Sequence, residues 1–181
     1  MFKKFILIIV SCLMAFNVFG QSEKGCFIGG DMNLTRSSVR TEDKSGFWTN
    51  NEPVTDFNIC GEFGYMGKFS AIGISLNYGI KDGERFSLAV SVFEELYCHL
   101  NDKFYYSPRV EVGYLNLKPN DEFNGVFTNV ELCGFVYKIT NSFQLRTNIL
   151  SIYYCHLSNE GVSMTLNSFG INPSVTFRWA F

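Results

Sequence analysis

Apolar and polar residues alternate almost without a break over 169–181. Phe169, Ile171, Val175, Phe177, Trp179 and Phe181 fall in one phase; Gly170, Asn172, Ser174, Thr176, Arg178 and Ala180 fall in the other. A period of two sends the sets to opposite faces of a β-strand. The pattern recurs upstream. Phe57, Ile59, Phe63 and Tyr65 oppose Asn58, Cys60, Glu62 and Gly64; Ile72, Ile74, Leu76, Tyr78 and Ile80 oppose Ala71, Gly73, Ser75, Asn77 and Gly79. Val110, Val112 and Tyr114 likewise oppose Arg109, Glu111 and Gly113. Turn residues divide the chain into strands near 25–36, 57–66, 69–80, 86–98, 104–117, 126–138, 143–156 and 165–181, and no segment sustains a 3.6-residue period. Even strand number, strands of about ten residues and alternating connection lengths predict an all-β fold, an eight-stranded antiparallel up-and-down transmembrane β-barrel. Short turns fall near Gly67-Lys68, Asn101-Asp102-Lys103 and Thr140-Asn141-Ser142. Loops are expected at 37–56, 81–85, 118–125 and 157–164 on the opposite end.

Alternation does not say which face is wet, since a secreted ligand-binding barrel alternates too, with its apolar face inward. The lysines decide. Lys24, Lys44, Lys68, Lys81, Lys103, Lys118 and Lys138 all fall in turns, loops or strand ends. A barrel midsection in hydrocarbon excludes lysine, at about 2–4 kcal/mol each near the midplane. The mid-strand charges Glu62, Arg109, Glu111, Glu131, Arg146 and Arg178 instead share the face opposite the aliphatic residues, where they are expected to pair inside a narrow, side-chain-filled barrel. Phe57, Tyr65, Phe69, Tyr78, Phe86, Tyr97, Phe104, Tyr114, Phe143, Tyr153 and Phe181 lie towards strand ends, as interfacial girdles require. Glu94 breaks the pattern: in phase with Leu88, Val90 and Val92 it points at lipid, so a bulge near Phe93 or an early exit from the membrane is expected.

The N-terminus fits export. Met1 to Lys4 is a short basic stretch, Phe5 to Phe16 an apolar one, and Val18 and Gly20 are small residues that favour cleavage after Gly20, leaving a domain of residues 21–181. The apolar run is too short for a spanning helix. Cys12 raises a lipoprotein alternative, but the apolar stretch before it is very short. Hydrophobic residues make up 46% of the chain against 18% charged, and the net charge of −2 with no basic run points to no nucleic-acid partner. Cys26, Cys60, Cys98, Cys133 and Cys155 match no metal or redox spacing and are expected to act as small buried hydrophobes. No metal cluster, phosphate loop or cofactor motif is found.

The stretches Lys24-Gly25-Cys26-Phe27-Ile28-Gly29-Gly30 with Ser37-Ser38, Gly64-Tyr65, Ala71 to Tyr78, Arg109 with Val112-Gly113-Tyr114, and the aromatic C-terminus resemble the small outer-membrane β-barrel family of OmpA/OmpX-like architecture. The resemblance implies an outer-membrane location and contact with its lipid. It also implies insertion by the barrel-assembly machinery through the strand ending at Phe181. It implies no chemistry, and a non-enzymatic structural or surface-interaction role follows. In the first loop, 37–56, Phe47 and Trp48 could anchor a surface partner, cover the barrel mouth or touch headgroups. As an alternative, His156-Leu157-Ser158-Asn159 is similar to the signature of the lipid A 3-O-deacylases, also eight-stranded barrels. That likeness implies His156 as base, Ser158 as nucleophile and Asn159 as oxyanion support. The orienting acid of that family falls here on Gly170 or Asn172, and Glu160 stands beside another element. His99 lies at the opposite end.

Overall fold

The computed structural model describes residues 25–42, 48–81, 84–118, 123–159 and 162–181, and every regular element among them is a strand. These are β1 (Gly25–Glu42), β2 (Trp48–Met66), β3 (Ser70–Lys81), β4 (Glu84–Leu96), β5 (Cys98–His99), β6 (Phe104–Tyr106), β7 (Arg109–Leu117), β8 (Phe123–Glu131), β9 (Gly134–Lys138), β10 (Phe143–Asn159) and β11 (Val162–Ala180). β1, β2, β3, β4, β7, β8, β10 and β11 pair in that order, antiparallel, and β11 returns to β1 to close the ring. The short β5, β6 and β9 prolong β4, β7 and β8 towards the short-turn end. The expected eight-stranded up-and-down barrel is therefore the fold observed, and the three short turns stand where they were expected.

Following paired residues round the ring from Gly30 through Gly61, Leu76, Val90, Tyr114, Val126, His156 and Thr165 returns to Arg40, a stagger of ten residues. Eight strands with that stagger tilt by roughly 40°.

Several expectations need correction. The first loop is not 37–56: β1 and β2 stay paired from Gly25↔Met66 to Glu42↔Trp48, so residues 37–42 and 48–56 are strand. The last loop, expected at 157–164, shrinks in the same way, because β10 and β11 pair up to Asn159↔Val162. Along these stretches the hydrophobic period of the sequence fades while the backbone ladder continues. Three expected strands are interrupted. Between β6 and β7 the cause is Pro108, which has no N–H to give and whose carbonyl accepts from Leu96 N at 3.0 Å. No bulge occurs near Phe93: the ladder runs unbroken through Phe93↔Gly73, Glu94↔Ile72 and Glu95↔Ala71. Residues 1–24, where the leader is expected, and Lys44, Phe47 and Glu160 lie outside the described residues.

The distribution is that of a transmembrane barrel. Ile28, Phe63, Ile74, Val92, Phe177 and Trp179 stand exposed on the outside, while Arg146, Arg178 and Glu95 are at most 1% exposed inside. On β2 the outward residues run from Tyr65 to Phe57, a belt roughly 20–25 Å tall once tilted. Three residues expected in the aromatic girdles turn inward instead. Phe86 follows the register shift at Gly79/Ile80, and Tyr153 follows the register shift at Asn148/Leu150; both pack on the interior cluster of Leu115, Leu117, Phe127, Cys155, Leu157 and Leu166. Tyr97 packs on the second cluster, formed by Phe27, Met66, Ala71 and Phe93 at the short-turn end. Among the described residues Cys60 and Cys155 are buried as expected, Cys26 and Cys133 are half-buried, and Cys98 departs from the expectation in being exposed; these five carry no disulfide.

Candidate functional site

Between the two apolar clusters lies a layer of ionised side chains. Arg109 bridges Glu62 (2.8 Å) and Glu111 (3.3 Å), Arg178 bridges Glu62 and Glu95 (2.7 Å to Glu95), and Arg146 bridges Glu95 (3.1 Å) and Glu131. The order Glu111–Arg109–Glu62–Arg178–Glu95–Arg146–Glu131 alternates in sign along its whole length. Its ends are held by neutral donors: Ser75 Oγ donates to Glu111 at 2.5 Å, and Asn129 Nδ2 to Glu131 at 3.3 Å. Ser91 and Ser107 donate to Glu111 and Glu95. The guanidinium of Arg109 lies 3.7 Å from the Phe93 ring centre, and that of Arg178 lies 5.0 Å from Phe27.

Glycines make room for this layer. A Cβ on Gly29 would stand 2.8 Å from Glu62 Oε1 and 3.0 Å from Arg178 Cγ. Every residue singled out from the alternation joins the network. Sequence reasoning missed Glu95, because the doubt over Glu94 obscured the phase; counting on by two from Ser87, Ala89, Ser91 and Phe93 finds it. Every carboxylate and guanidinium of this ion-pair series has at least one partner of opposite charge, and Phe93 and Phe27 pack on two of the guanidiniums.

The second group sits on the outer wall near the long-hairpin end. The register shift between Asn148 and Leu150 sets the phase of upper β10, so Tyr154, His156 and Ser158 face outward while Cys155 and Leu157 face inward. His156 and Ser158 thus share an exposed face just above Tyr154. His156 Nδ1 lies 3.4 Å from Thr165 Oγ1, on the paired rung of β11. Asn159 alternates away from them. The amide on their face belongs to Asn124, the cross-strand partner of Ser158 on β8, which sequence reasoning did not select.

Gly170 pairs with Ser151, five rungs from the His156–Thr165 rung, or roughly 17 Å along the strand. An acid at that position would not reach the imidazole, and the hydroxyl of Thr165 occupies the orienting place. His99 belongs to the other end, edge-on to Tyr105 with ring centres 4.6 Å apart.

No family model matches the chain, and no curated protein matches it. Solved structures of outer-membrane barrels do. Neisserial surface protein A (NspA) aligns over 88% of this chain and 100% of its own at 10% identity, with a TM-score of 0.49. A de novo designed transmembrane β-barrel aligns over 90% and 100% at 8% identity, with a TM-score of 0.42. OprG from Pseudomonas aeruginosa aligns over 90% and 98% at 11% identity, with a TM-score of 0.40. At such identities the likeness concerns fold and carries nothing about activity.

Proposed function

We propose that the chain is an integral outer-membrane β-barrel, exported with cleavage after Gly20, that serves without catalysis in envelope structure or surface interaction. One observation carries this reading: a continuous exposed belt of Ile, Val, Leu and aromatic side chains encloses three arginines and four glutamates paired inside. Water-soluble barrels invert that arrangement. The tall β1–β2 hairpin supports the surface role. β3 pairs with β2 only from Phe57 onward, so among the described residues the stretch 48–56 keeps one ladder edge unpaired, a seat for an extended peptide. Cell fractionation tests the reading: the protein should be recovered only by detergent from outer membranes and should show heat-modifiable gel mobility. Recovery from the soluble periplasmic fraction overturns it.

A second reading, a lipid A deacylase-like hydrolase, is favoured by the shared outward face of His156 and Ser158 at the height of acyl esters. Lipid A mass spectra of cells expressing the wild type and Ser158→Ala separate the two. Loss of one acyl chain with the wild type alone sinks the non-enzymatic reading; unchanged spectra with both remove the hydrolase.

A further inference from the structure

At the short-turn end the bore opens into a cavity of about 730 Å³. Burial gives it a direction. Lys68, Phe69, His99 and Asp102 stand exposed around its mouth, whereas Met66, Tyr105, Val136 and Gln144 are buried along its depth. Its wall is largely aromatic: Tyr97 and Tyr105 meet edge to face with ring centres 6.1 Å apart. The Tyr97 hydroxyl accepts an N–H of Arg178 at 3.3 Å, which ties this wall to the ion-pair chain. Gln144, two residues before Arg146 on the same buried face of β10, is the polar group at depth and is 2% exposed. Its Nε2 donates to Met66 Sδ at 3.1 Å, a weak acceptor, and its Oε1 has no hydrogen-bond partner among the described residues. A buried acceptor without a donor is a rare exception, and its completion is to be sought in whatever fills the space beside it.

We propose that this cavity binds a small neutral aromatic alcohol, its ring against the tyrosine wall and its hydroxyl donating to Gln144 Oε1. Pockets for small molecules span about 300–1,000 Å³, and this one falls inside that range. Aromatic walls favour a flat ring, which meets them stacked or edge to face. The acceptor at depth sets the head of the ligand: a hydroxyl completes it, whereas an ether oxygen leaves it unpaired. Charge excludes the other classes. Lys68 Nζ lies 5.4 Å from the Phe69 ring centre and Lys138 Nζ 4.9 Å from that of Tyr105, so the chain's own cations already stand over these rings and oppose a cationic ligand. An anionic head would meet the oxygen of Gln144, which repels it. The site lies at the opposite end of the bore from His156 and the tall hairpin, so it stands apart from both functional readings above.

The test uses the full folded barrel in lipid nanodiscs, with heats of binding read against empty nanodiscs. The probes are 2-naphthol, its methyl ether 2-methoxynaphthalene, and the saturated alcohol decahydro-2-naphthol. The expected result is that 2-naphthol binds roughly tenfold more tightly than its ether, the worth of one buried hydrogen bond, and more tightly than the saturated alcohol. Gln144→Leu removes the acceptor at little change in volume, so naphthol and ether should bind this variant alike. Heat-modifiable gel mobility, scored first, reports that the variant is folded; Gln144→Met removes the same acceptor should the leucine variant misfold. Equal binding of naphthol and ether by the wild type overturns the proposal, as does a preference for naphthol that survives the substitution. Binding of the saturated alcohol as tight as that of naphthol overturns it as well. So does heat no greater than that of empty nanodiscs with all three probes, which would leave water as the partner of Gln144.

Discussion

Glu62 is the residue on which the interior turns, since it alone neutralises both Arg109 and Arg178. Glu62→Gln leaves two buried cations each short of one partner, Arg109 with Glu111 alone and Arg178 with Glu95 alone. Breaking a buried pair from one side costs about 3–5 kcal/mol. Urea-driven unfolding from lipid vesicles should show a loss of that size, whereas Glu131→Gln, at the end of the chain with Arg146 still held by Glu95, should lose less. Equal losses would mean the seven groups are not coupled as the distances imply. Glu94 is the opposite case. It is 5% exposed, lies on the outward phase, and has neither carboxylate oxygen bonded. An unpaired carboxyl there costs free energy that a leucine would not. Glu94→Leu is therefore expected to stabilise the barrel by about 1–3 kcal/mol in the same assay. Gly73 lies against the Phe93 ring. Its Cβ would come 2.7 Å from Phe93 Cζ and 2.6 Å from Phe63 O, so even Gly73→Ala should displace the ring against which Arg109 stacks.

At the level of elements, the two ends of the barrel differ in kind, and so did their legibility. At the short-turn end Gly67-Lys68, Asn101-Asp102-Lys103 and Thr140-Asn141-Ser142 were readable, because tight turns carry local chemistry. Asn101 Oδ1 takes the N–H of both Lys103 and Phe104, at 3.0 Å each. At the other end, strand continued where the hydrophobic alternation stopped. Residues 37–42 and 48–56 carry no period-two signal in the sequence, although their backbones stay paired. The register shifts were harder to read: two residues of β11, one of them Pro173, stand against Ile149 alone, and beyond that point Tyr153 turns inward and His156 outward. The His156–Ser158 pairing on one face was legible from their spacing, but Thr165 and Asn124 were not, since both are neighbours only through cross-strand register. The tall hairpin yields a labelling experiment. In intact cells a membrane-impermeant maleimide should modify Thr49→Cys on β2, and should reach the native exposed Cys98 on β5 only after the outer membrane is breached. Labelling of Cys98 in intact cells would put the short turns, and not the long hairpins, at the cell surface.

The whole barrel is sealed twice, by different physics at different heights. Towards the long hairpins Leu115, Leu117, Phe127, Leu157 and Leu166 fill the bore with hydrocarbon, and below them the ion-pair chain spans it from Glu111 to Glu131. An ion crossing the first seal would have to shed its water, and crossing the second it would have to break paired charges. The purified barrel should accordingly carry no steady current in a planar bilayer. The sharper expectation concerns removing one seal at a time. Phe127→Ala/Leu157→Ala empties the apolar plug but leaves the charge layer intact, so it should lower the unfolding midpoint by the cost of two large-to-small core changes, each about 2–5 kcal/mol, and still conduct nothing. Conductance in this variant would show that the apolar plug alone closes the bore. The buried charges would then be a structural clamp between strands, with no part in barring ions.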